Sequence, residues 1–190
     1  MTGRAERPVS SIHPERRLVA SRRVYDGRRV SVRLDDVALP SGRVAVYEVV
    51  EHRGAAAIVA LSPERSVLLV RQFRQAVGRE LLELPAGTLE PGESPLECAR
   101  RELAEEAGQA ADRWEPLIAF FPSPGVLSEE LHIFLAEGLR VSLAEREEED
   151  LRVESLPLEE AYRRIAAGEI RDAKSIIGIT AARERFRRTT

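Results

Sequence analysis

Cysteine occurs once in this chain of 190 residues, at Cys98, which excludes an internal disulfide and suits a reducing cytoplasm. Lysine also occurs once, at Lys174, so the 29 basic residues are otherwise all arginine. They are interspersed with 32 acidic residues, and the formal net charge is -3. No general attraction to nucleic acid or anionic lipid follows from that balance. Aromatic residues make up only 5% of the chain, and no apolar run approaches membrane-spanning length. The first residues lack the charged-then-apolar layout of a secretory signal, and no internal repeat or low-complexity segment is present. What remains is 43% hydrophobic and 32% charged, the composition of a soluble globular protein with one substantial core.

Against this plain background one stretch carries chemistry. Ser94 is placed to cap a helix, Pro95 suits its first position, and Glu97 completes a Ser-x-x-Glu capping box. Gly108 is a natural stop, since glycine accepts the left-handed conformation that closes a helix. Between these ends Leu96, Ala99, Leu103 and Ala107 form one apolar stripe. Glu102, Glu105 and Glu106 lie at i, i+3 and i+4 on the adjoining stripe. Three like charges that close repel one another unless a cation sits among them. Oxygen ligands without a paired His or Cys favour Mg²⁺ or Mn²⁺ over zinc. Arg101 is expected to neutralise part of the cluster, pairing with Glu93 or Glu105. Cys98 reads as buried filler of the same helix, and the acidic run from Glu145 to Asp150 as a solvated face.

Gly87, Glu93 and Arg101-Glu102-Leu103-Ala104-Glu105-Glu106-Ala107-Gly108 follow the spacing G-x5-E-x7-R-E-L-x-E-E-x-G. That spacing resembles the signature of the Nudix hydrolases, which split a diphosphate linked to a further group. Gln109 departs from the pattern, standing where the family has an aliphatic residue. The resemblance implies an α/β fold, a Nudix-type α/β/α sandwich with a mixed sheet. It also implies that the carbonyl of Ala86 joins Glu93, Glu102, Glu105 and Glu106 at the metal.

The order of elements suits that fold. Residues 1–15 read as a flexible terminus. Leu18 to Tyr25 and Arg28 to Leu39 read as strands joined at Asp26-Gly27, and Arg43 to His52 as a third. Residues 16–52 thus form a small antiparallel piece ahead of a catalytic domain over 53–190. There, Ala55 to Leu61, Ser66 to Phe73 and Leu81 to Leu84 precede the acidic helix. Strands at Leu117 to Phe121, His132 to Glu137 and Arg152 to Leu156 follow it, with helices at Pro157 to Gly168 and Lys174 to Arg188. Val30, Val32, Val44 and Val46 lack an obvious partner within one small core, so a homodimer is expected.

Ser123-Pro124-Gly125 puts a proline sixteen residues past Gly108, the marker of the ADP-ribose pyrophosphatase branch that this region resembles. Glu48-Val49-Val50-Glu51-His52 and Val70-Arg71-Gln72-Phe73-Arg74 are similar to that branch as well. The Pro124-Gly125 loop would place Glu129 over the phosphate, and Arg71 and Arg74 would meet the diphosphate with planar forks. The resemblance implies that Glu48 lies on the adenine side, on strands that cross to a second subunit. Tyr47 stands where an arginine is usual and offers a ring for the base. The expected activity is Mg²⁺-dependent hydrolysis of ADP-ribose, with Mn²⁺ as a substitute. The base is a helix carboxylate, Glu105 or Glu106, or else Glu129. The alternatives are another nucleoside diphosphate sugar, such as GDP-mannose, and a non-catalytic ADP-ribose sensor. Trp114 is read as surface packing or a substrate stack.

Overall fold

The computed structural model describes residues 15–142 and 151–188. Residues 1–14 of the expected flexible terminus and the run from Glu145 to Asp150 lie outside those residues. The chain divides into two compact units: the residues through His52 with Ser123–Ser128, and the remainder from Arg53 to Pro122 and from Glu129 onward.

The first unit is a three-stranded antiparallel sheet, β1 (Arg17–Asp26), β2 (Ser31–Ala38) and β3 (Val44–Glu51), in the order β1-β2-β3. The first turn is longer than the expected Asp26-Gly27 pair. Asp26 pairs with Ser31, whose hydroxyl donates to the Asp26 carboxylate at 2.6 Å, leaving residues 27–30 in the loop. A polar network ties the sheet together. Ser21 Oγ and the Arg33 guanidinium both donate to buried Asp35, and Arg33 Nη1 reaches Glu51 at 2.5 Å. The segment Ser123–Ser128 runs along β3. Val50 N–H donates to the Val126 carbonyl at 2.7 Å, and Ser128 N–H donates to the Val50 carbonyl at 3.0 Å.

The second unit is a sandwich. Its strands are β4 (Ala55–Leu61), β5 (Ser66–Arg74), β6 (Arg79–Glu83), β7 (Ala86–Thr88), β8 (Gln109–Phe120), β9 (Leu131–Val141) and β10 (Arg152–Pro157). The main order is β10-β5-β4-β9-β8, with β6 on β5 and β7 on β4. The β4–β9 pair is parallel and the others are antiparallel, so the sheet is mixed. The helices are α1 (Pro95–Ala107), α2 (Leu158–Ala166) and α3 (Ala173–Arg187).

Every residue of β4 is buried, because helices cover both of its faces. Ala56, Ile58 and Ala60 pack with Cys98, Ala99, Leu103 and Ala107 of α1. Ala55, Ala57, Val59 and Leu61 face the other way, toward Leu158 and Ala161 of α2 and Ile179 and Ala182 of α3. A continuous apolar run in a central strand has this cause: period-two alternation survives only where one face meets water.

Strand β8 begins at Gln109 and is 12 residues long, whereas the sequence pattern marks only its end. It is an edge strand, so its polar first half lacks the apolar alternation that betrays a strand. A register shift between Pro116 and Ile118 accommodates a proline that only an edge tolerates. Strand β9 likewise continues past Glu137 to Val141, crossing Gly138. No helix among the described residues is long and apolar enough to cross a membrane.

Candidate active site

The site is organised by α1, whose two ends take the expected form. Ser94 Oγ accepts from Glu97 N–H at 3.3 Å, and the Glu97 carboxylate accepts from Ser94 N–H at 2.9 Å. Gly108 closes the helix at φ 63°, donating to the Ala104 carbonyl. With Ala99, Leu103 and Ala107 pinned in the core, the next stripe must lie along the edge where α1 meets β7. That stripe is Glu102 and Glu106, 9% and 4% exposed, with half-buried Arg101 and Glu105 beside it.

Arg101 is the hub. Its Nε and Nη2 donate to the two oxygens of Glu93 at 2.8 and 3.0 Å. Its Nη1 donates to Glu102 Oε1 at 2.6 Å and to Glu105 Oε2 at 3.0 Å. Nη2 also reaches the Thr88 carbonyl at 3.2 Å, which fastens the guanidinium to β7. The sequence left Glu93 and Glu105 as alternative partners; the side chain takes both, and Glu102 in addition. The fork from Arg101 holds the Glu93 carboxyl below its ordinary value, and the same bonds raise the guanidinium pKa against the opposing effect of burial. Cys98 is pushed up to about 12, first by burial and then by the charges of Glu102 and Glu93. It is a protonated thiol at neutral pH, packed against the Gly87 carbonyl, and no nucleophile.

Opposite the helix lies Pro85-Ala86-Gly87. The Pro85 carbonyl accepts from Ile58 N–H at 2.9 Å, and Ala86 N–H donates to Glu106 Oε2 at 2.9 Å. Gly87 meets a steric demand, because a Cβ there would lie 1.8 Å from Glu102 Oε1. Only glycine lets that carboxylate rest against the β7 backbone.

Among the described residues no three Asp, Glu, His or Cys side chains stand ready around a vacant point. The oxygens of Glu102 and Glu105 converge on Arg101 Nη1, so the cation they share here is the guanidinium. One guanidinium faces Glu93, Glu102 and Glu105, and Glu106 accepts from the Ala86 backbone beside them. Hard oxygen donors and the Gly87 cradle fit a divalent cation.

The other expected residues are distributed as follows. Glu129 is half-buried just before β9, where Glu130 accepts from Ala55 N–H at 3.1 Å. Since Ala55 pairs with Thr88 on its other side, Glu129 and Ala86–Thr88 share one end of the sheet. Arg74 forks onto Glu83 at 2.9 and 2.7 Å, and Arg71 pairs with Glu154 at 2.6 Å. Both arginines thus have carboxylate partners that sequence reasoning missed, because those partners lie on β6 and β10. Tyr47 and Glu48 are exposed on β3, with Arg16 donating to the Tyr47 hydroxyl at 3.3 Å. Pro124 and Gly125 form an exposed turn in the segment along β3. Trp114 is partly buried beside the α1 core, its ring under Arg100 and its Nε1–H donating to the Ala111 carbonyl.

Residues 51–177 match the model of the NUDIX domain, and residues 17–50 that of the nucleoside diphosphate sugar hydrolase N-terminal domain. An ADP-ribose pyrophosphatase of Bacillus subtilis is 38% identical over 168 residues, covering 87% of this chain and 91% of the relative. One of Mycobacterium tuberculosis is 40% identical over 167 residues, covering 86% and 81%. A solved structure of an ADP compounds hydrolase superposes with TM-score 0.82 at 24% identity, covering 95% of this chain and 98% of the other. That last likeness concerns the fold.

Proposed function

The chain belongs to the NUDIX domain family, and we propose that it hydrolyses the diphosphate of ADP-ribose to AMP and ribose 5-phosphate. Mg²⁺ is the proposed metal, with Mn²⁺ as a substitute. The observation that carries the reading is the row of carboxylates on α1, gathered by Arg101 and set against Ala86 and Gly87. The names of the two relatives, both ADP-ribose pyrophosphatases, support the substrate.

Glu102, Glu105, Glu106 and the Ala86 carbonyl would hold the cation, with Glu93 acting through Arg101. When bound there, a divalent ion neutralises charge on phosphate oxygens and makes a bound water more acidic. The chain's own groups do the rest. Arg101 keeps the carboxylates oriented and limits their mutual repulsion. A carboxylate of Glu105, Glu106 or Glu129 takes the proton of the attacking water. Arg74 and Arg71, each bonded to a carboxylate here, are the proposed partners of the diphosphate. Tyr47 and Glu48 would meet the base in the site of a second copy of the chain, and Pro124 and Gly125 would contact the substrate.

The proposed active form is a cytoplasmic homodimer. Val44 and Val46 are exposed, as are Leu18, Val19 and Val24, whereas Val30 and Val32 are half-buried; a second copy would cover the exposed set. Light scattering that finds a fully active monomer would remove the dimer. The substrate is tested with ADP-ribose, GDP-mannose and other nucleoside diphosphate sugars at fixed Mg²⁺, measuring released AMP or GMP with and without chelator. ADP-ribose is expected to turn over fastest, and chelation to stop it. Faster release of GMP from GDP-mannose would reassign the substrate, and binding of ADP-ribose without turnover would make the protein a sensor.

A further inference from the structure

A second charged cluster lies on the opposite side of the Pro85-Ala86-Gly87 segment. Glu83, at the end of β6, is 1% exposed and accepts from both Arg74 and Lys174. Burial by itself would raise the Glu83 pKa, but the Arg74 hydrogen bonds and the Lys174 charge outweigh it and hold the carboxyl below its ordinary value. Lys174 Nζ also donates to Asp172 Oδ2 at 2.9 Å, and the same oxygen caps α3 by accepting from Ser175 N–H at 3.1 Å. The next residue of the segment is held too: Leu84 N–H donates to Ser175 Oγ at 2.7 Å, and Ser175 is fully buried. Helix α3 approaches closely enough that a Cβ on Gly178 would stand 2.7 Å from Leu84 Cδ1.

Side chain and backbone of two consecutive residues, Glu83 and Leu84, are therefore both gripped by one helical turn. Pro85 is held by Ile58, and Ala86 by Glu106. The grip reaches the backbone facing the carboxylates without touching them. A lysine in the first turn of a helix also works against the macrodipole, so helix stability does not account for its position. A compact ammonium can bridge two carboxylates from one point, which a planar fork does poorly. This is the one basic position in the chain that is not arginine.

We propose that the first turn of α3, through Lys174 and Ser175, is a positioning element that sets Ala86 against Glu106 and so tunes metal affinity from outside the metal site. The proposal rests on the reading of α1 as the metal helix. It is tested on the full chain by titrating Mn²⁺ and reading free ion by electron paramagnetic resonance, in wild type, Lys174→Met, Ser175→Ala and Ile179→Val. Ile179 lies on α3 but packs only in the core, so its variant reports loss of helix stability alone. Residues that orient metal ligands are worth about 10- to 100-fold in metal affinity. Lys174→Met and Ser175→Ala are accordingly expected to weaken Mn²⁺ binding about tenfold, with Ile179→Val unchanged. Affinities in the first two no weaker than in Ile179→Val overturn the proposal. If Lys174→Met does not fold, Ser175→Ala decides alone. If wild type binds no Mn²⁺, the reading of α1 falls, and amide exchange then decides the positioning claim. Faster exchange at Leu84 and Ala86 than in Ile179→Val upholds it, and equal protection ends it.

Discussion

Two clusters of ionised side chains flank the same short segment of backbone, and they gather opposite signs. Around Glu83, Arg74 and Lys174 converge on one carboxylate that is 1% exposed, and Lys174 also meets Asp172. Around Arg101 the arrangement is reversed, with Glu93, Glu102 and Glu105 converging on one guanidinium. Removing a member of a buried cluster strands a charge. Cations converging on a buried carboxylate fasten β6 to β5 and α3, whereas carboxylates gathered around one guanidinium are oxygen donors of the kind a hard cation takes.

The largest effect should come from the carboxylate side. Glu106→Gln keeps an acceptor for Ala86 N–H but removes a charge, so turnover should fall about a thousandfold, as expected from several kcal/mol of lost transition-state stabilisation. The melting temperature should barely move. Near-normal activity at saturating Mg²⁺ would erase the distinction between the clusters.

Glu83→Gln is the mirror experiment. It removes the buried charge on which Arg74 and Lys174 converge and should cost about 3 kcal/mol of stability in denaturant unfolding. Added Mg²⁺ should not restore it. Recovery by Mg²⁺ would mean that the two clusters are not distinct.

Arg101→Met should cost less, about 2 kcal/mol, because the side chains of its partners are 11 to 25% exposed against 1% for Glu83. Here Mg²⁺ should recover part of the loss, since the ion replaces the missing cation. Calorimetry with and without Mg²⁺ reads both, and the sign of the metal effect is the sharpest contrast with Glu83→Gln.

The smallest effect is in pH. Glu83 and Glu93 are both held below their ordinary value of 4.5 in the folded state. Their stabilising contribution is complete above the unfolded value and is lost as pH falls through the depressed folded values. Melting temperatures between pH 7 and pH 3 should therefore decline below about pH 4.5, and less steeply in Glu83→Gln. An identical acid slope in that variant would remove Glu83 from the account.

Legibility followed sequence distance. The α1 caps, its apolar stripe and its carboxylate stripe were readable because their partners are three or four residues apart. So was β4, whose unbroken apolar run admits few alternatives. The start of β8 was not readable, because an edge strand with Asp112 and Arg113 exposed resembles a loop. The Glu83 cluster was invisible as well, since Lys174 lies 91 residues from the carboxylate it serves.

From sequence alone came the acidic helix, its ends, its spacing and the order of strands around it, all consequences of short-range backbone geometry and hydrophobic periodicity. Only the tertiary structure decided that Arg101 would take Glu93, Glu102 and Glu105 together, that Arg74 would turn to Glu83, and that α3 would grip the backbone before Ala86. Those pairings depend on sheet order and helix approach, which bring distant charges within about 3 Å, the range of a charge-assisted hydrogen bond.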